Sequence, residues 1–117
     1  MFIYIKYIMS GEVVQIKTLQ ELNTIIQKLP NLIVLDFGAT WCGPCKSMHD
    51  DYHKLAKENP ICIFLSIDID ESEELVVEFN IESLPTFMFI KKTQVVHTFV
   101  GAKLDELKDS VEKFKSL

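Results

Sequence analysis

The stretch Thr40–His53, TWCGPCKSMHDDYH, sets Cys42 and Cys45 three positions apart and follows them with His49 and His53, four apart. Thiols and imidazoles at such spacings serve two different chemistries. A cysteine pair can cycle between dithiol and disulfide, or thiolates and imidazoles can share a tetrahedral zinc ion.

Disulfide exchange needs one thiol of lowered pKa, because the thiolate is the nucleophile, and a second thiol near enough to break the mixed disulfide that forms. Cys42 and Cys45 meet both needs if a strand ending near Phe37 feeds a helix that starts at Cys42. The Cys42 sulfur then sits at a helix N-terminus, where unpaired backbone N–H groups and the positive end of the dipole favour negative charge. Lowering a thiol from about 8.5 to about 7 requires ~2 kcal/mol. A partly buried dipole site supplies up to about 2 kcal/mol, and each hydrogen bond to the charged sulfur adds roughly 1.5–3 kcal/mol. Those contributions suffice before desolvation opposes them. Pro44 falls in the first helical turn, where its missing N–H had no intrahelical partner, and Gly43 puts no side chain over the sulfur.

Zinc would need ligands converging from several directions. Cys45, His49 and His53 follow one another at i, i+4 and i+8 on one helix face, and their side chains diverge along ~12 Å at ~1.5 Å per residue. The long separation that lets two elements wrap a metal is missing. The spacing favours redox chemistry for the cysteines, no metal, and solvated positions for the two histidines.

Asp36 interrupts the apolar run Leu32–Phe37. An aspartate in a buried strand is disfavoured unless paired or functional. Burial raises its pKa, which makes it a candidate to exchange protons with Cys45, directly or through water, or equally an acid satisfied by a local donor. Cys62, inside the apolar run Ile61–Leu65, reads as a small buried hydrophobe.

The elements that must hold these residues alternate in type. Strands are expected at 13–16, 32–37, 61–67, 86–90 and 95–100, and helices from Thr18 to Pro30, from the CxxC to Asn59-Pro60, at 70–79 and at 103–114. Capping boxes are expected at Thr18/Glu21 and Asp70/Glu73. The order βαβαβαββα predicts one α/β domain, with parallel pairing of the strands joined through helices, an antiparallel edge from the final hairpin, and helices on both faces of a mixed sheet.

A chain of 117 residues is the size of one compact domain, and its net charge of −5 gives no compositional support for nucleic-acid binding. Three cysteines are too few and too unevenly spaced for a secreted disulfide framework, which points to a reducing compartment. The apolar segment Met1–Met9 is too short to span a membrane and has no cleavable-leader pattern. Residues 1–8 are expected to be an extension, and 9–117 the folded domain.

The motifs DFGATWCGPCK, SLPTFMFIKK and FVGA, in this order and spacing, resemble the thioredoxin family from about Gly11 to Leu117. The resemblance implies the thioredoxin fold, with a five-stranded sheet and four helices, and protein-disulfide reductase activity without metal or organic cofactor. It implies that Cys42 attacks, Cys45 resolves and Asp36 assists proton transfer. It also implies a cis peptide before Pro85, and substrate docking at Trp41, Gly43, Pro44, Leu84, Pro85, Gly101 and Ala102, with Asp70 supporting the Trp41 indole. A CxxC thiol near pKa 7 is that family's own reference value, so the magnitude above is inherited from it rather than independent of it. The implied partners are a flavoprotein thioredoxin reductase and protein disulfides such as those of peroxiredoxins, met by a cytoplasmic monomer.

Several positions depart from the family. Ser66 stands where bacterial members often carry a lysine beside the buried acid, and Asp50 stands where a helix proline is usual, so a straighter helix is expected. Ser83 and Leu84 occupy the place of a regulatory cysteine. Thr93 stands where glycine is frequent, so a hairpin turn other than one with φ > 0 is expected. The alternative reading is a thioredoxin-fold binding module in which the cysteines are incidental.

Overall fold

The computed structural model describes residues 11–117. The expected extension at residues 1–8 lies outside the described residues.

The elements run β1 (Val13–Gln15), α1 (Leu19–Lys28), β2 (Ile33–Gly38), α2 (Gly43–Glu58), β3 (Ile63–Asp68), α3 (Glu73–Glu78), β4 (Thr86–Lys91), β5 (Gln94–Val100) and α4 (Leu104–Lys115). They form one five-stranded sheet in the order β1-β3-β2-β4-β5. β2 is central, as its apolar run predicts. It pairs in parallel with β3 and antiparallel with β4.

That second pairing corrects one expectation. β4 is reached through a helix yet does not run parallel to β2, because α3 is too short to carry the chain back along the sheet. Six helical residues advance ~9 Å, whereas the six-residue strand β3 spans ~20 Å. The chain therefore enters β4 near the end where β3 finished and runs the other way.

Alternation along the strands divides the core into two layers. Ile33, Leu35 and Phe37 of β2 pack with Leu22 and Ile25 of α1 and Leu75 of α3, while Leu32 and Val34 pack with Met48, Tyr52, Leu107 and Val111 of α2 and α4. Period-two alternation puts Asp36 on the same side as Val34, toward α2. The hydroxyl of Tyr52 is buried under this layer, 2.8 Å from the Leu65 carbonyl oxygen and 3.1 Å from that of Val34, which ties α2 to the two central strands.

Local chemistry explains most of the boundaries. The Thr18 hydroxyl accepts the Glu21 N–H and the Glu21 carboxylate accepts the Thr18 N–H, both at 3.1 Å, the capping box expected there. The second box does not form: α3 is capped at Ser72 without a side-chain hydrogen bond, and the Asp70 carboxylate is engaged elsewhere. β3 begins two residues later than its apolar run suggests, because Pro60 and Ile61 lie in a turn and Ile61 is exposed. The β4–β5 hairpin turns through Lys92 (φ 51°) and Thr93 (φ 69°). Two consecutive positive φ values are those of a type I′ turn, whose twist matches a two-residue hairpin. The demands of strand twist thus override the steric preference of threonine, contrary to the expected turn.

Candidate active site

β2 ends at Gly38, and a short loop delivers Cys42 as the N-cap of α2, with φ −86° and ψ 114°. The Cys42 sulfur accepts the Cys45 N–H at 3.2 Å, taking one of the backbone donors that a helix start leaves unpaired. Pro44 sits in the first turn, as expected. Cys42 and Cys45 are joined in a disulfide with their Cα atoms 5.3 Å apart. Cys62 is free and buried, in keeping with its reading as a core residue.

Two recesses flank the sulfurs. The outer cleft, about 390 Å³, lies between the Trp41–Pro44 corner and Leu84, and is completed by Ile69, Val76 and Ile81. None of these three is assigned a role from the sequence: Val76 falls inside the expected helix 70–79, and Ile69 and Ile81 lie outside the expected elements. Trp41 is 65 % exposed, and its indole N–H donates to Asp70 at 2.8 Å. Beyond its two chain neighbours and the helix's own backbone, a Cβ placed on Gly43 would meet nothing within 4 Å, so this position faces open space. The Leu84–Pro85 peptide is cis. Pro85 is buried, and its carbonyl accepts the Gly101 N–H at 2.9 Å, which brings the FVGA corner alongside. Gly101, at φ 111°, occupies a backbone conformation suited to glycine. It and the exposed Ala102 do not line the cleft itself.

The inner groove, about 620 Å³, reaches Cys45 and Asp36 from the other side and is lined as well by Gly38, His49, His53 and Ser66. Asp36 Oδ1 is shut away from solvent without a hydrogen-bond partner among the described residues. Burial pushes the Asp36 carboxyl from its ordinary 3.8 up to about 7, against the opposing pull of positive charge at His49. Ser66 is its register partner on β3 and brings no cation. Tyr52 remains a neutral phenol, its pKa driven well up by burial and then by the Asp36 charge.

Gly38 connects the sulfur with the acid. A Cβ built on it would lie 3.3 Å from Cys45 Sγ and 3.7 Å from Asp36 Oδ1, so both atoms face the same small space. This glycine has no positive φ. Its lack of a side chain matters here for room. The two histidines lie at the surface of α2, as expected, His49 exposed and His53 half-buried, with their rings in tilted contact at a centroid distance of 4.2 Å. Among the described residues no group of three or more His, Cys, Asp or Glu is arranged to hold a metal ion.

A CxxC pair capping a helix that follows the central strand of such a sheet defines a thiol–disulfide oxidoreductase. The thioredoxin family matches over residues 13–113. Thioredoxin H-type 2 of Nicotiana tabacum is 42 % identical over 107 residues, covering 89 % of this chain and 91 % of that one. Reduced Schistosoma mansoni thioredoxin superposes with a TM-score of 0.82 at 36 % identity, over 88 % of this chain and 98 % of that one. A thioredoxin from Nicotiana alata gives 0.84 at 33 % identity, over 91 % and 95 %. The chain belongs to the thioredoxin family and is a protein-disulfide reductase that works by thiol–disulfide exchange through its Cys42/Cys45 dithiol.

Proposed function

We propose that Cys42 is the attacking thiol, Cys45 the resolving thiol and Asp36 the group that takes the Cys45 proton. The Cys42 thiolate attacks one sulfur of a protein disulfide, forming a mixed disulfide and expelling the other substrate sulfur as a thiolate, which picks up a proton. Cys45 passes its proton to the Asp36 carboxylate, and the resulting thiolate attacks Cys42 Sγ. The Cys42–Cys45 bond forms, the second substrate thiolate leaves, and two electrons have passed to the substrate. A flavoprotein thioredoxin reductase then supplies two electrons that reduce the Cys42–Cys45 disulfide to the dithiol.

The observation that carries this assignment is the Cys45 N–H directed at Cys42 Sγ at the helix start. The same donor would stabilise a thiolate there, and a hydrogen bond to a charged group contributes roughly 1.5–3 kcal/mol. Asp36 is supported by its unpartnered oxygen and by a pKa of about 7, which balances accepting and returning a proton near neutrality. An extended substrate segment would pair with the backbone at Leu84 and rest on Trp41, Gly43, Pro44 and Pro85, with Gly101 and Ala102 at the margin. Asp70 orients the indole. Among the described residues no helix is long and apolar enough to cross a membrane. We place the protein in the cytoplasm, as a monomer with residues 9–117 as its working domain and protein disulfides such as those of peroxiredoxins as substrates.

Insulin reduction by dithiothreitol with catalytic protein tests the assignment. Cys42→Ser abolishes the acceleration, and Asp36→Asn slows turnover without unfolding the chain. Wild-type rates in both variants would overturn it.

A further inference from the structure

The inner groove carries titratable groups that the exchange reaction leaves unused. Besides Asp36 of β2, it takes Cys45, Lys46, His49, Asp50, Tyr52 and His53 from α2, and Ser66 and Asp68 from β3, with Gln15 from β1 and no residue from β4. Histidine is the side chain whose charge ordinarily changes near neutral pH. His49 lies one helical turn beyond Cys45 and is exposed, whereas Asp36 Oδ1 is buried, so the histidine stands at the outer end of a groove whose inner end is the acid.

The two histidines are not equivalent. His53 is held toward its neutral form by burial and next by the charge of His49, whose ring lies in tilted contact with its own. His49 has a counter-charge beside it, Nδ1 lying 3.2 Å from Asp50 Oδ1. The space over Gly38, bordered by Cys45 Sγ and Asp36 Oδ1, keeps the inner end of the groove open.

We propose that His49 is a positioning residue for the resolving step: from the outer end of a groove that Gly38 keeps open, its charge governs whether Asp36 is a carboxylate able to take the Cys45 proton. The proposal rests on the role given to Asp36 above. With His49 protonated, the carboxylate is favoured and Cys45 can be deprotonated. With His49 neutral, burial dominates and Asp36 retains its proton to higher pH. The device supplies the positive charge that Ser66 does not.

The test compares wild type, His49→Gln and His49→Lys, following the Asp36 carboxyl carbon by NMR across pH in the disulfide form. Single-turnover reduction of a peptide disulfide is followed over the same range. A unit charge added to or removed from the groove is expected to move the Asp36 midpoint by on the order of half a pH unit. The Asp36 midpoint rises in His49→Gln and falls in His49→Lys, the pH profile of the resolving step moves with it, and 1 M salt narrows the difference. Coincident midpoints in the three proteins, or shifts in the same direction in both variants, overturn the proposal. Asp36→Asn separates the two levels: a single-turnover rate equal to wild type defeats the role of Asp36 itself. A slowed rate there, with coincident midpoints in the His49 variants, defeats only the role of His49.

Discussion

The Trp41 indole N–H donates to Asp70 Oδ2 at 2.8 Å, joining the corner before the disulfide to the loop after β3. The bond holds a large apolar ring over the outer cleft although most of its surface faces water. Asp70→Ala releases the ring. The KM for a protein disulfide is expected to rise roughly two- to fivefold with kcat little changed, the equivalent of ~0.5–1 kcal/mol for one exposed hydrogen bond. Steady-state insulin reduction measures this, and an unchanged KM would show that the ring holds its place unaided.

Asp36 makes stability depend on pH in a direction opposite to that of a salt-bridged carboxylate. Its folded pKa, about 7, lies above the ordinary 3.8, so between these values the folded protein binds a proton that the unfolded chain has released. Stability contributed by the protonated acid is present in full below about 3.8 and is lost as pH rises through about 7. The whole loss is on the order of 4 kcal/mol. Urea unfolding of the oxidised protein at pH 5 and pH 8 should show a larger fall in wild type than in Asp36→Asn, which cannot ionise. Equal falls in the two proteins would contradict a raised pKa.

Thr93 adopts φ 69° in the β4–β5 turn, where a β-branched side chain is sterically opposed. Left-handed backbone costs an L-residue about 1–2 kcal/mol, and glycine is free of this cost but gains entropy in the unfolded chain. Thr93→Gly is expected to raise stability by about 1 kcal/mol, read as an upward shift of the urea midpoint with unchanged insulin reduction. A downward shift would mean that the threonine side chain contributes more than its backbone costs.

These features differ in how far the sequence reveals them. Cys42, Cys45 and Asp36 are legible because each breaks a local pattern, the cysteines by spacing and the aspartate by interrupting an apolar strand. The five strands are legible from period and composition. The reversed direction of β4 is not, since it follows from the length of α3 relative to the sheet. The Lys92–Thr93 turn is misread because residue preference argues against a conformation that the twist of the flanking strands requires. Gly38 and His49 gain their place near Asp36 only when β2 and α2 are brought together, whereas Ser66 is legible through the family resemblance. One signal was nonetheless present: Asp36 alternates to the α2 side of β2, and His49 follows Cys45 by one helical turn.

The division of labour between the two sulfurs is tested most directly by trapping. Each single cysteine variant is mixed with a protein disulfide, and the linked species is located by mass spectrometry. Cys45→Ser should accumulate a one-to-one mixed disulfide through Cys42, and Cys42→Ser should accumulate none. Equal trapping through Cys45 in the Cys42→Ser protein would contradict the assignment of Cys42 as the attacking thiol.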